Sequence, residues 1–160
     1  MIYSREEIIY LSNNDEEIKM VISANGIEFI KQWEGCRLTS YQDGGGVWTI
    51  GTGHTKGVKQ GQVITQEQAD GFLAEDLQPV EETLNSYVTV GITQNQYDAL
   101  CSFTFNLGSA ALEGSTLLTL LNQGNYQGAA DEFPKWCHDN VQLVQGLLNR
   151  RNAERALFLS

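Results

Sequence analysis

The chain has 160 residues, 41% of them apolar and only 19% charged, which is too apolar for a disordered tail and enough for a core burying about two-thirds of the unfolded surface. Twenty acidic against ten basic side chains leave a net charge of −10, which argues against nucleic acid as a partner, since phosphate binding draws on a surplus of lysine and arginine. The apolar runs fall well short of the roughly 20 residues that cross a bilayer, so no stable membrane insertion is expected.

Residues 1–19 are compositionally distinct, with Glu6, Glu7, Asp15, Glu16 and Glu17 set against Arg5 and Lys19. Ser12-Asn13-Asn14-Asp15 breaks any helix begun at residue 5, so this stretch reads as a flexible acidic extension. It carries acids where a secretory signal carries bases, and Ile8–Leu11 is too short for a signal core. The expectation is a chain made and folded in the cytoplasm. Cys36, Cys101 and Cys137 are odd in number and lack metal-site spacing, and read as reduced, mostly buried thiols.

Ser23 is placed to cap a helix over 24–34, with Ile27, Ile30 and Glu34 along one side and Gly35 as its stop. Over 36–54 the period becomes strand-like, with Leu38, Tyr41, Val47, Trp48 and Ile50 around a turn at Asp43-Gly44-Gly45-Gly46. Thr65-Gln66-Glu67-Gln68 is a capping box that opens a helix to about residue 86, with a bend expected at Pro79. Thr93-Gln94-Asn95-Gln96 is a second box, stapled by Ile92 and Tyr97. The helix it opens is apolar on nearly every side, hence central, and stops at Gly108. Further helices are expected at 115–122, 125–133 and roughly 141–159.

The chemistry concentrates between residues 33 and 54. Glu34 falls in the last turn of its helix, where the negative end of the helix dipole favours the protonated carboxyl that a general acid requires. Asp43, in a glycine-rich turn, has the more solvated setting that suits a carboxylate. Two carboxyls in opposed environments are the equipment of glycoside hydrolysis. Thr49 offers a hydroxyl able to hold a water, and Gly51 and Gly53 allow the backbone close to a bulky ligand. His54 and His138 are far apart and no His/Asp/Glu spacing resembles a zinc site, so neither a metal nor a cofactor is expected. Cys137 and His138, read as neighbours on a helix, would diverge and make no nucleophile pair.

Glu34, eight intervening residues, Asp43, five more, then Thr49-Ile50-Gly51-Thr52-Gly53-His54 resembles the catalytic signature of the phage-type lysozymes, glycoside hydrolase family 24. Ser23-Ala24-Asn25-Gly26-Ile27 is similar to the family's opening. Gln96-Tyr97-Asp98-Ala99-Leu100 with Phe105-Asn106-Leu107-Gly108 is similar to its central helix, and Gly146-Leu147-Leu148 with Arg150, Arg151 and Glu154 to its C-terminal end. The resemblance runs over about residues 20–160. It implies an α+β, lysozyme-like fold of two lobes: a small β-hairpin lobe at about 36–64, a connecting helix at about 65–86, and a helical lobe at about 87–160 that also receives helix 24–34.

The same resemblance implies a muramidase, cleaving the β-1,4 bond between N-acetylmuramic acid and N-acetylglucosamine in bacterial peptidoglycan. Glu34 would protonate the leaving oxygen. Asp43 would activate or orient the attacking water, or stabilise positive charge on the sugar, and Thr49 would hold that water. Inversion and retention both remain open. His54 corresponds to a structural histidine paired with an acid on the following helix, here Asp76; Arg150 or Arg151 would reach Glu34. Gly53, Thr55, Phe105, Asn106 and Trp136 are the candidate sugar contacts, with core packing the alternative for Phe105 and Trp136.

The leading functional reading is a monomeric endolysin, held in the cytoplasm until a holin opens the inner membrane. A delivered antibacterial toxin and a non-catalytic wall-binding module are the rivals. The charge suits a wall enzyme poorly, because the wall is itself anionic. Lys135, Arg150, Arg151 and Arg155, near the chain's C-terminal end, read as a local basic surface near the cleft.

Overall fold

The computed structural model describes residues 19–160; the acidic stretch expected to be flexible lies, but for Lys19, outside the described residues. Helix α1 spans Ala24–Glu34. Strands β1, Arg37–Gln42, and β2, Trp48–Gly51, form an antiparallel hairpin, with Tyr41 opposite Thr49 and Gln42 opposite Trp48. The chain then returns along β1, where Ser40 N–H donates to Gln62 O and Ile64 N–H to Leu38 O, each at 2.9 Å. Helix α2, Gln66–Tyr87, leads to the central α3, Gln94–Leu107. Short helices α4, Ser109–Glu113, α5, Thr116–Asn122, and α6, Tyr126–Glu132, follow, then a 3-10 turn at Phe133–Lys135. A two-residue-per-strand hairpin, β3 His138–Asp139 with β4 Gln142–Leu143, precedes the closing helix α7, Gln145–Phe158.

Local chemistry accounts for the helix starts. The Ser23 hydroxyl accepts from Gly26 N–H at 3.1 Å, and both capping boxes close reciprocally, Thr65 with Gln68 and Thr93 with Gln96. Helix α2 runs through Pro79 without interruption. The cap of α1 is also a tertiary joint. Asp98, buried in α3, accepts from Ser23 N–H at 3.0 Å and from the Ser23 hydroxyl. Gly26 is required there, since a Cβ would come within 2.6 Å of Asp98 Cγ.

Two separate apolar clusters form. The larger gathers Ile30 of α1, Leu77 and Leu84 of α2, Tyr97, Leu100 and Phe103 of α3, Leu117 and Leu121 of α5, and Phe133 and Phe158. The smaller consists of Ile50, Ile64 and Ala69 with Val58 and Phe72 packed against it. Helix α2 contributes to both and therefore ties the hairpin to the helical body. This is the expected α+β, lysozyme-like arrangement with a small and a large lobe.

Three local expectations are corrected. The stretch from 141 does not open the last helix: residues 138–143 form the β3–β4 hairpin, because Asn140 adopts φ 55°, a left-handed conformation that asparagine tolerates. Cys137 and His138 therefore sit on no helix, and Cys137 Sγ lies 3.5 Å from His138 Nδ1. Cys36 is exposed in the link from α1 to β1, whereas Cys101 and Cys137 are buried.

Candidate active site

Glu34 closes α1 because Gly35, at φ 70°, turns the chain away from the helix. Its carboxyl is partly buried. Arg150 Nη1 donates to Oε1 at 2.6 Å, across 116 residues of sequence. The second oxygen, Oε2, faces Gly53: a Cβ on that residue would lie 3.8 Å from it. Gly53 has φ +78°, so the backbone passes the carboxyl in a conformation that favours glycine.

Asp43 heads the turn between β1 and β2 and is exposed. Its Oδ1 accepts from Gly45 N–H at 2.9 Å and Val47 N–H at 2.8 Å, which fixes the carboxylate. The turn is closed by Gly46 N–H donating to Asp43 O at 3.0 Å. Thr49 is buried on β2, and its hydroxyl donates to Val47 O at 3.0 Å. Asp43 and Thr49 are thus coupled through Val47, whose N–H serves one and whose carbonyl serves the other.

Between the lobes lies an open cleft of about 340 Å³ lined by Glu34, Gly53, Thr55, Asp76, Phe105 and Asn106, together with Lys56, Val80, Thr104, Gly108 and Ser109. Six residues singled out from the sequence therefore share one wall. Asp43 and Thr49 stand on the hairpin outside that wall. Trp136 packs edge-on against Phe103, 5.5 Å between ring centroids, at the margin of the larger core, and does not line this cleft.

His54 is buried behind Gly53. Nδ1 lies 2.8 Å from Asp76 Oδ2, Nε2 lies 3.0 Å from Lys56 O, and the ring stacks on Phe72 at 4.2 Å. Backbone bonds of 2.9 Å in both directions between Ile50 and His54 complete a loop that holds Gly53 in place. Of the two arginines, Arg150 reaches Glu34, whereas Arg151 is fully buried and donates to Asn106 Oδ1 at 2.8 Å.

The expected basic surface near the cleft is corrected. Lys135 pairs with Glu132, Arg155 with Asp131 at 2.7 Å, and Arg150 and Arg151 with Glu154 at 3.2 and 2.9 Å. Each base has an acid three or four residues away on the helix, or across on α6, so none presents a free charge. The cation on the cleft wall is instead Lys56, from the small lobe. Among the described residues no group of three or more potential metal ligands occurs, and no helix is long and apolar enough to cross a membrane.

Sequence reasoning missed Lys56, Thr104 and Ser109 on the wall. Nothing local signals them, because the return of the chain over the cleft is tertiary. Glu154 belongs to the C-terminal motif, and its spacing of three and four from the two arginines places all three on one helix face.

Comparison with known proteins gives a consistent result. The phage lysozyme family model matches residues 31–154. An endolysin of Acyrthosiphon pisum secondary endosymbiont phage 1 is 50% identical over 145 residues, covering 88% of this chain and 99% of that protein. The endolysin of Salmonella phage P22 is 50% identical over 146 residues, covering 88% and 99%. The muramidase domain of SpmX from Asticaccaulis excentricus superposes with a TM-score of 0.83 at 40% identity, covering 88% of this chain and 98% of that one.

Proposed function

The chain belongs to the phage lysozyme family, and from that premise we propose how its cleft performs the family's chemistry. It is a lysozyme-type glycoside hydrolase, an endolysin that hydrolyses the β-1,4 bond between N-acetylmuramic acid and N-acetylglucosamine in bacterial peptidoglycan. In our reading Glu34 is the proton donor. Arg150 holds Oε1, which leaves Oε2 directed at the space beside Gly53, where the glycosidic oxygen would sit. That single arrangement carries the assignment: a carboxyl gripped on one oxygen, with the other facing Gly53 at the wall of a cleft between lobes.

Asp43 acts from the hairpin. With Oδ1 occupied by two backbone N–H groups, Oδ2 is the oxygen available to a water or to the developing positive charge on the sugar. Thr49 works with it through Val47. Phe105 offers an aromatic face and Asn106 an amide to the sugar rings and N-acetyl groups, with Thr55 at the opposite lip. His54 and Asp76 position the Gly53 loop.

We assign residues 20–160 to the lysozyme domain, with a small lobe at about 36–64, a connecting helix at about 65–86, and a helical lobe at about 87–160 plus the first helix. The two separate apolar clusters, bridged by α2, support this division. We further propose a monomer that is stored in the cytoplasm and reaches the wall through a holin-opened membrane.

The test is mass analysis of digested peptidoglycan. Reducing muramic ends from the wild-type protein, and none from Glu34→Gln of equal thermal stability, are expected. Anhydro-muramic ends, or equal digestion by both proteins, would overturn the assignment of Glu34 in a hydrolase.

A further inference from the structure

Behind the cleft wall lies a charged cluster of which the mechanism above uses Arg150 alone. Glu154 of α7 is completely buried, as is Ser102 of α3, and Arg151 beside them is equally inaccessible. Glu154 Oε1 accepts from the Ser102 hydroxyl at 2.7 Å, from Arg151 Nη2 at 3.0 Å and from Arg150 Nε at 3.2 Å. Its Oε2 lies 2.9 Å from Arg151 Nε. Oε1 takes all three hydrogen bonds, whereas Oε2 and Arg151 Nε lie close without a hydrogen bond among the described residues, and the two flanking guanidiniums favour the carboxylate.

The two arginines that it holds point in different directions. Arg150 extends from Glu154 to Glu34 Oε1 and also donates to Ser102 O at 3.3 Å. Arg151 extends from Glu154 to Asn106 Oδ1, with its guanidinium 5.3 Å from the centroid of the Phe103 ring. One buried carboxylate thus braces both the proton donor and an amide on the cleft wall. We propose that Glu154 is a positioning residue for catalysis: through Arg150 it sets the carboxyl of Glu34, and through Arg151 it sets the Asn106 amide that meets the sugar.

Two features support the proposal. Without Glu154, Arg150 keeps only its 3.3 Å contacts to Ser102 O and Oγ behind Glu34, and the Ser102 hydroxyl loses its own acceptor; reaction rates fall about 10²-fold for misplacements of about 1 Å. The cluster also balances charge. Glu34 and Glu154 face two arginines, so protonated Glu34 leaves a single excess positive charge, whereas without Glu154 the excess would be two. Burial pushes the Glu154 carboxyl above the ordinary glutamate value and the Arg151 guanidinium below its ordinary value, and their mutual attraction opposes both shifts. The charged groups that face Glu154 are Arg150 and Arg151 from its own helix, with Ser102 facing it from α3; Glu34 of α1 faces Arg150 from the other side.

The inference rests on Glu34 being the proton donor, and the experiment separates the two. Peptidoglycan hydrolysis is measured against pH for the wild type, Glu154→Gln and Glu154→Asp, together with thermal midpoints. Glu154→Gln should lower kcat about ten- to hundredfold. It should also move the alkaline limb of the rate profile to lower pH, because one more positive charge in the cluster is left uncompensated. Glu154→Asp keeps the charge but shortens the reach, so its rate should fall with the limb in place. A folded Glu154→Gln with wild-type rate and profile would overturn the proposal. So would failure of both variants to fold, which would make Glu154 a residue of stability alone. A wild-type protein that releases no reducing ends would instead defeat the functional reading beneath it.

Discussion

Replacing Gly53 by alanine would separate the chemistry of the cleft from the stability of the fold. The backbone there has φ +78°, and an L-residue in that region costs about 1–2 kcal/mol. For a chain of this length, 1 kcal/mol lowers the thermal midpoint by about 2–4 °C, so the variant should remain folded at assay temperature. The added methyl carbon would sit 3.8 Å from Glu34 Oε2. A proton can pass to the glycosidic oxygen only if that oxygen comes within about 2.6–3.2 Å of the carboxyl, so methyl and substrate compete for one space. Displacement by about 1 Å then costs about 10²-fold in rate. Gly61→Ala is the matched control, because Gly61 has φ +74° and nothing within 4 Å of its would-be Cβ. Both variants should lose similar stability by calorimetry. In a clearing assay on permeabilised cells, Gly53→Ala should be at least about 10²-fold slower and Gly61→Ala unchanged. Equal activity of the two would show that the scissile bond does not lie beside Gly53, and would refute the placement of the proton donor.

Other outcomes follow from single contacts. Gly26→Ala gains about 1 kcal/mol of helix propensity but drives a Cβ to 2.6 Å from Asp98 Cγ; overpacking of about 1–3 kcal/mol should prevail, seen as a lower thermal midpoint. Asp76→Asn removes the charged partner 2.8 Å from His54 Nδ1 and should cost about 1–3 kcal/mol near neutral pH, with an unchanged midpoint counting against a structural role for the pair. Hydrogen bonds from Lys31 and Gln66 hold the Asp70 carboxyl below its usual range, so the stability it contributes is present above the ordinary carboxylate value and is lost as pH falls through the depressed one. Asp70→Asn should therefore melt earlier than wild type at neutral pH, and the two should converge as pH falls through the depressed value. A thiol reagent should titrate Cys36 alone in the native protein and all three cysteines after denaturation, since Cys101 and Cys137 are buried.

What the sequence made legible was local or patterned. Ser23, Thr65 and Thr93 announce their helices because a cap and its target amide are three residues apart, and Asp43 with its glycines can form little but a turn. Glu34, Asp43 and Thr49 needed the resemblance as well as the physics, since three polar residues at fixed spacing mean little alone. The errors arose where distant segments decide. Residues 141–144 carry an apolar pattern that suits a helix or a strand, and the left-handed Asn140 settles it as a hairpin. Gly108 stops α3 but also opens α4, a helix without a side-chain cap to announce it. The C-terminal bases read as a surface in one dimension, but in the fold each meets an acid three or four residues away or on α6.

The link between Glu34 and Arg150 spans 116 residues. At a translation rate of about 5–20 residues per second, the arginine is synthesised roughly 6–23 s after the carboxyl it grips. During that interval a nascent chain carries Glu34, Asp43 and Thr49 but lacks the clasp on the proposed proton donor and the helix that carries it. Competence for hydrolysis therefore arrives late and together with closure of the helical lobe, so that partial translation products from an interrupted message would be inert toward the wall.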